Sequence, residues 1–491
     1  MSNIKTLGKD TLIYGLGSVL QKFIGVLLLP FYTRALSPAE YGIIDTLATL
    51  TFFISVIFGF GLEGATGRYF FIADTDIEKG KVLYTSVIIK NVANWLPVLF
   101  LLPFSSNISQ ILFDSSDYSW VIAIALITIP LSNTVSLQNL LFRYYREVWK
   151  FTVILLLRAI INPLSGILLV VVFKFGVLGA VSSTFISVLI TLIVGYFYYA
   201  RKKYIRQFSW MWAKKMLKFG FPLIFTGILS WVNSVSDRFF ILHYSTLDQV
   251  GLYSIGGTFS QPITLINMAL SMSSVVIFMS MYSEEKGEEK PKTKAFLTKI
   301  WYTYLAIAIS VAAVISAFSY DLVKFITTPA YVGSIMAIPF LLFSYILYMS
   351  SDITGNGMTL KEQSKPYFWI MLIAAGTNAG LNFYFVPNFG FVGAAITTII
   401  SNCIYFLMAY NWSQRVFYIK RNFIKPALYF SIGLSVSIFF PFYEYHQGTH
   451  LSYIYKIAVL ILVLTLPFIF KFIDYSTILS LLNNVKQKIK I

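Results

Sequence analysis

Three cations are embedded in apolar sequence, and each is flanked by small polar residues at helical spacing. Lys22 belongs to a row made of Thr11, Tyr14, Gly15, Ser18, Lys22 and Gly25. Steps of three and four place such residues on one helical face. Ser86, Lys90 and Asn94 repeat the pattern, as do Arg158, Asn162 and Ser165. A charge near a bilayer centre costs about 2.5–3.5 kcal/mol on insertion scales, so it faces an interior or a water-filled cavity. Lys22 lies roughly 16 Å along its segment at 1.5 Å per residue, Lys90 and Arg158 only about 10 Å from an end. Cations around a cavity suit an anionic group, phosphate or pyrophosphate above all. Arginine offers a bidentate fork and lysine a point charge. Further along, Thr226, Ser230, Asn233 and Asp237 form one polar row, and Ser254, Thr258 and Gln261 another. There the charge is acidic, which makes Asp237 a candidate for holding a coupling cation, proton or sodium. Ser18, Asn94, Asn162, Asn233 and Gln261 are the expected polar cavity lining. Glu63 and Arg68 read as an interfacial pair with each other, and Arg238 as a side chain snorkelling outward beside Asp237.

Other chemistry is poorly provided for. The chain has one cysteine, Cys403, and three histidines without ligand spacing, so no resident metal and no cofactor is expected. Gly59, Gly61 and Gly64 fit G-x-G-x-x-G, but the dinucleotide motif needs a preceding strand and a βαβ unit. Here the glycines close an apolar segment and read as a helix break or packing contacts.

The elements that must carry these residues are transmembrane helices. Of 491 residues, 57% are hydrophobic and only 12% charged, about half the charged share of a soluble domain. Fourteen windows of about 20 apolar residues lie near 11–33, 43–63, 83–103, 120–140, 152–173, 177–199, 217–240, 250–281, 300–320, 331–350, 367–386, 391–410, 424–441 and 454–472. The first apolar run continues to Pro30 without a small-residue cleavage site, so it reads as a retained span and not as a signal peptide. With the N-terminus inside, 30 lysines and arginines fall on the cytoplasmic side and five outside, a clear positive-inside bias. Both termini are therefore expected in the cytoplasm. The net charge of +17 follows from this topology and from attraction to anionic lipid, with no nucleic-acid partner.

The chain also repeats itself. FGVLGAVSSTFIS (175–187) returns as FGFVGAAITTIIS (389–401), and SPAEYG (37–42) as TLDQVG (246–251). Six spans separate the copies, so the halves run in the same sense, related by an axis along the membrane normal. The expected organisation is a lobe of spans 1–6 over residues 1–205 and a lobe of spans 7–12 over 206–412. Accessory spans 13–14 and a tail follow over 413–491. Two such lobes rocking about a site between them would make a transporter.

The opening stretch, Thr11–Leu50, resembles polysaccharide flippases of the Wzx type. These belong to the multidrug/oligosaccharidyl-lipid/polysaccharide (MOP) superfamily. The likeness rests on Leu29-Pro30-Phe31-Tyr32-Thr33-Arg34, on Leu36-Ser37-Pro38-Ala39-Glu40-Tyr41-Gly42 and on the two FGxxGA phrases. It implies an all-α V-shaped bundle of two six-helix lobes with two accessory helices. The implied activity is moving undecaprenyl-pyrophosphate-linked oligosaccharide across a bacterial cytoplasmic membrane, for O-antigen, capsule or exopolysaccharide synthesis. A cationic central cavity would take the pyrophosphate, consistent with Lys22, Lys90 and Arg158. The implied partners are that substrate, membrane lipid and the polysaccharide polymerase machinery, with a monomer as the working unit. The rivals are a peptidoglycan-precursor flippase and a drug/cation antiporter; the latter fits poorly with a first half whose mid-span charges are all positive. An enzyme would be expected to need an outer loop bearing catalytic groups, and the longest outer connection, 103–118, carries two aspartates and no His, Lys or Arg.

Overall fold

A computed structural model describes residues 27–200, 205–287, 289–363, 365–448 and 451–472. Among them the regular structure is helical, with no strand. In chain order the helices are α1 (27–35), α2 (Pro38–Phe58), α3 (Leu62–Ile72), α4 (Asp76–Leu101), α5 (Ser105–Phe113), α6 (Ser119–Tyr144), α7 (Val148–Gly166), α8 (Gly176–Val194) and α9 (Trp210–Val235). They continue as α10 (Asp237–Tyr244), α11 (Leu247–Glu284), α12 (Pro291–Ala317), α13 (Ser319–Ile326), α14 (Ile338–Thr354), α15 (Asn356–Leu360), α16 (Lys365–Val416), α17 (Ile424–Gln447) and α18 (Tyr453–Ile469).

Nine of the described helices are long and apolar enough to cross a membrane, or ten with the bent pair Pro329–Met336 and Ile338–Leu360 taken as one span. Each window expected from the sequence, from the second onward, falls on a helix. The eleventh and twelfth share α16, which breaks at Gly390 (φ 57°, ψ −141°). Most of the first window lies outside the described residues. In lipid, a helix satisfies every backbone polar group within itself, and for that reason hydropathy alone locates these elements.

The helices gather into two compact units. The first is the described part of Met1–Ser254 with Asn378–Ala394, the second that of Ile255–Thr377 with Ala395–Ile491. In the first, α6 and α8 pack together and α7 joins α8. A core of Ile43, Leu47, Val98, Ile122 and Leu126 fills the space between α2, α4 and α6. In the second, α12 is the hub, packed on α14 and α17. Gly433 lets α17 close on α12, since a Cβ there would meet Ile309 Cγ2 at 2.4 Å. The Tyr429 hydroxyl is 2.8 Å from that of Ser310.

The two repeated phrases do the same structural work in both copies. Gly176 (φ 55°) and Gly390 (φ 57°) each take the left-handed conformation that favours glycine. Gly179 and Gly393 then lie against the preceding segment, at Leu169 and Phe385. SPAEYG closes a capping box, in which the Ser37 N–H donates to Glu40 Oε2 at 2.8 Å and the Glu40 N–H to Ser37 Oγ at 3.3 Å. TLDQVG caps α11 with the first half of the same pattern, the Gln249 N–H donating to Thr246 Oγ1 at 3.4 Å. Glu40 then reaches Gly176 of the first phrase, while Gln249 accepts from the Phe391 N–H of the second at 3.0 Å. The two motifs therefore belong to one device: the capping residue of one steadies the turn of the other.

Candidate functional site

Arg158 stands where the sequence suggests a working cation. It is half-buried on α7 and lines a cavity of about 300 Å³. Ser55 of α2, Thr128 and Ser132 of α6 and Thr184 of α8 line the same space. No carboxylate among the described residues lies within ion-pair distance of its guanidinium, and Ser187 Oγ donates to its backbone carbonyl at 3.3 Å. This guanidinium presents donors to an anion in a cavity whose mostly apolar wall carries the hydroxyls of Ser55, Thr128, Ser132 and Thr184.

Lys90 is different. Only 2% of its side chain is exposed, and its Nζ donates to Glu63 Oε1 at 2.8 Å. It does not line the Arg158 cavity. The expected Glu63–Arg68 pair is not formed; Arg68 lies over the Phe219 ring, 4.7 Å from its centroid. The break at Gly61 (φ 58°) explains this. It starts α3 as a separate helix and turns Glu63 toward α4. The G-x-G-x-x-G stretch is thus a helix break and a packing contact: a Cβ at Gly61 would meet the Gly220 carbonyl oxygen at 2.5 Å.

The other expected lining residues fall into hydrogen-bond networks. Asn94, 1% exposed, donates to the Lys90 carbonyl at 2.6 Å and to that of Phe58 at 3.2 Å. Its Oδ1 accepts from Asn133 Nδ2 at 2.6 Å, and Asn133 Oδ1 accepts from Ser55 at 2.9 Å. This network runs from α4 through α6 to the cavity wall. Asn162 Oδ1 accepts from Ser183 Oγ at 3.2 Å. Asn233 is buried on α9. In the second unit, Gln261 Oε1 accepts from Thr264 at 3.3 Å. Lys22 and Ser18 lie outside the described residues.

Asp237 is buried at 1% exposure. Its carboxylate accepts from Tyr253 Oη at 2.7 Å and from Asn382 Nδ2 at 2.8 Å, and Asn382 also donates to Asn378 Oδ1 at 3.2 Å. Arg238 does not snorkel outward. Its Nε donates to Asp45 Oδ2 at 2.9 Å, and its guanidinium lies 4.9 Å from the centre of the Tyr253 ring. Adjacent residues on a helix diverge, so the acid turns into the bundle and the arginine to α2.

Three sites escaped sequence reading. Asp45 sits inside the second span, and its position in an apolar window was the available signal. Lys456, one of the five lysines and arginines assigned to the outer side, is fully buried with Glu444 at 2.7 Å and Asp321 at 2.8 Å, tying α18 to α17 and α13. Asp352 accepts from Asn267 Nδ2 at 3.3 Å.

Among the described residues the chain is helical without strands, repeats its turn at Gly176 and Gly390, and holds a cavity lined by Arg158 and a buried Asp237. Its fold is one already seen in solved membrane proteins. It superimposes on the lipid II flippase MurJ in an inward closed conformation with a TM-score of 0.72 at 16% identity, over 93% of this chain and 98% of that one. On a multidrug resistance MATE family transporter of the MOP superfamily the TM-score is 0.64 at 14% identity, over 80% of this chain and 94% of that one. The chain belongs to the family described as "Polysaccharide biosynthesis protein", which matches residues 7–283. Among curated relatives, "Lsg locus putative protein 1" of Haemophilus influenzae is 21% identical over 298 residues, 57% of this chain and 67% of that protein. An uncharacterized membrane protein of Methanocaldococcus jannaschii is 24% identical over 251 residues, and the match spans only 47% of its length.

Proposed function

We propose that this protein is a transporter, not an enzyme, and that it flips undecaprenyl-pyrophosphate-linked oligosaccharide repeat units from the inner to the outer leaflet of a bacterial cytoplasmic membrane. The observation that carries the reading is the unpaired Arg158 guanidinium in a cavity walled by Ser55, Ser132 and Thr184. A cavity of about 300 Å³ is at the small end of ligand pockets. It suits a phosphate-bearing head group, leaving the glycan to a wider space. Membership of the polysaccharide biosynthesis family supports the substrate class.

In this reading residues 1–205 and 206–412 are the two lobes, with 413–491 accessory, and alternating access rocks the lobes. The matched turns at Gly176 and Gly390 support such a duplication. Within the first unit, α2 also meets the start of the second copy. Gly42 lies against Leu247 and Gly251, and Asp45 pairs with Arg238. These contacts would have to part when the outer side opens.

The test is genetic. In a strain lacking the native gene, Arg158→Gln is expected to lower surface polysaccharide at least about tenfold, the effect of losing roughly one charge-assisted bond, at unchanged protein level. Arg158→Lys should keep part of the activity. Full polymer from Arg158→Gln would overturn the assignment.

Asp237 is the proposed coupling site, as a buried carboxylate that accepts from Tyr253 and Asn382 and feels the charge of the neighbouring Arg238. If sodium binds there, sodium chloride should raise the melting midpoint of the purified protein more than choline chloride does, and Asp237→Asn should abolish that difference. Identical sodium responses of wild type and variant would remove Asp237 from the coupling scheme.

A further inference from the structure

The first unit contains a second cavity, of about 370 Å³, that shares no lining residue with the Arg158 cavity. Its walls are Tyr84 and Val87 of α4, Thr134 of α6, and Leu192, Tyr196 and Phe197 at the end of α8. The wall is almost wholly apolar and aromatic, with one charge, Arg206, at the margin. Arg206 is exposed and donates to Tyr196 Oη at 3.4 Å. No carboxylate among the described residues pairs with it.

The local backbone opens this groove. From Gly195 to Ala200 the chain is π-helical, a form that is rare and frequent at functional sites. Gly195 lies against Gln138, whose Oε1 would be 2.4 Å from a Cβ at that position. The wider turn then displaces Tyr196 and Phe197 toward the groove and its arginine. Arg206 also belongs to the most basic stretch of the chain, Arg201–Lys218, on the side where lysine and arginine concentrate. Aromatic rings and a basic side chain at that level are the interface chemistry of a membrane protein.

We propose that this groove binds an acidic membrane phospholipid. One acyl chain would lie along Val87, Leu192 and Phe197, and the phosphodiester would pair with Arg206. Charge selects the occupant. One guanidinium balances the single negative charge of a phosphodiester, whereas a pyrophosphate carrier would leave charge unmatched at the membrane surface. An apolar slot also excludes free phosphate as the natural ligand, because nothing polar would fill its depth.

Native mass spectrometry on the full-length protein in detergent can decide. The probes are phosphatidylglycerol, zwitterionic phosphatidylethanolamine, undecaprenyl phosphate and inorganic phosphate. Wild type should retain phosphatidylglycerol about fivefold more than phosphatidylethanolamine, the worth of one basic residue near an anionic lipid. Arg206→Gln, an exposed change that leaves folding intact, should erase the preference. Val87→Trp, which fills the slot, should lower retention of both lipids. Equal retention of the two phospholipids by wild type would overturn the proposal, and so would unchanged preference in Arg206→Gln. Displacement of phosphatidylglycerol by undecaprenyl phosphate would reassign the groove to the carrier, and displacement by inorganic phosphate would reduce it to an anion site. Because Arg206 is remote from the Arg158 cavity lining, polymer export can fail in Arg158→Gln while lipid retention stays intact, and the reverse.

Discussion

Glu63→Gln is expected to destabilise the purified protein by roughly 2–3 kcal/mol, the cost of leaving the buried Lys90 donor without its charged partner. Lys90→Met should cost clearly less. The asymmetry follows from burial. Lys90 is 2% exposed and Glu63 51% exposed. Without Glu63 an ammonium stays in the bundle with no counter-charge. Without Lys90 a carboxylate is left that water already reaches, and methionine fills much the same volume with an apolar chain. The double variant Glu63→Gln, Lys90→Met should therefore recover most of the loss, since no buried charge is left to compensate. Thermal melting in one detergent, followed by size exclusion, measures all three. The assignment falls if Glu63→Gln is no worse than Lys90→Met. The same set separates two roles for Lys90: a stable double variant that still exports full polysaccharide would make Lys90 a structural cation, and one that folds but exports nothing would make it a substrate cation.

Gly251→Ala should be as damaging, at about 3 kcal/mol or more, the top of the range for overpacking. A Cβ at position 251 would stand 2.0 Å from the Pro38 carbonyl oxygen, and one at Gly42 2.2 Å from that of Leu247. Both obstacles are backbone, so neither can rotate away, and the start of α11 must separate from the start of α2. Gly42→Ala and Gly251→Ala disturb one contact, so their double should cost less than the two added together. Gly376→Ala supplies the control: it too is helical, but nothing lies within 4 Å of the added carbon. There alanine should be neutral or stabilising by about 0.5–1 kcal/mol, because glycine loses more backbone freedom in a helix. A melting midpoint for Gly251→Ala equal to that of Gly376→Ala would disprove the close contact.

Both variants touch features the sequence partly announced. Gly42 and Gly251 occupy the same place in SPAEYG and TLDQVG, and Lys90 is visible as a charge inside an apolar window. The partner of each was hidden. Lys90 and Glu63 are 27 residues apart, Arg238 and Asp45 193, and Lys456 and Asp321 135. Glu63 and Arg68, close in sequence, made the tempting pairing, and it failed because the helix break at Gly61 redirects Glu63. Asn94 and Asn162 likewise read as cavity lining from periodicity. Periodicity shows that a face is not turned to lipid; whether that face meets water or another helix depends on the neighbour.

By itself, the sequence determined that this is a multi-pass helical membrane protein that states two short motifs twice, and that Arg158 and Lys90 lie within apolar helices. The physical reason is that lipid imposes its rules one segment at a time: about 20 apolar residues per helix, no unsatisfied backbone, and a cost for every charge. Those rules act along the chain and can be read along it. Tertiary structure alone decided that Lys90 is neutralised by Glu63 while no carboxylate among the described residues pairs with Arg158, that Asp237 is held by Tyr253 and Asn382, and that the repeated motifs touch at Gly42 and Gly251. Which charges are paired depends on distances of about 3–4 Å between helices, and no spacing within a single helix encodes them.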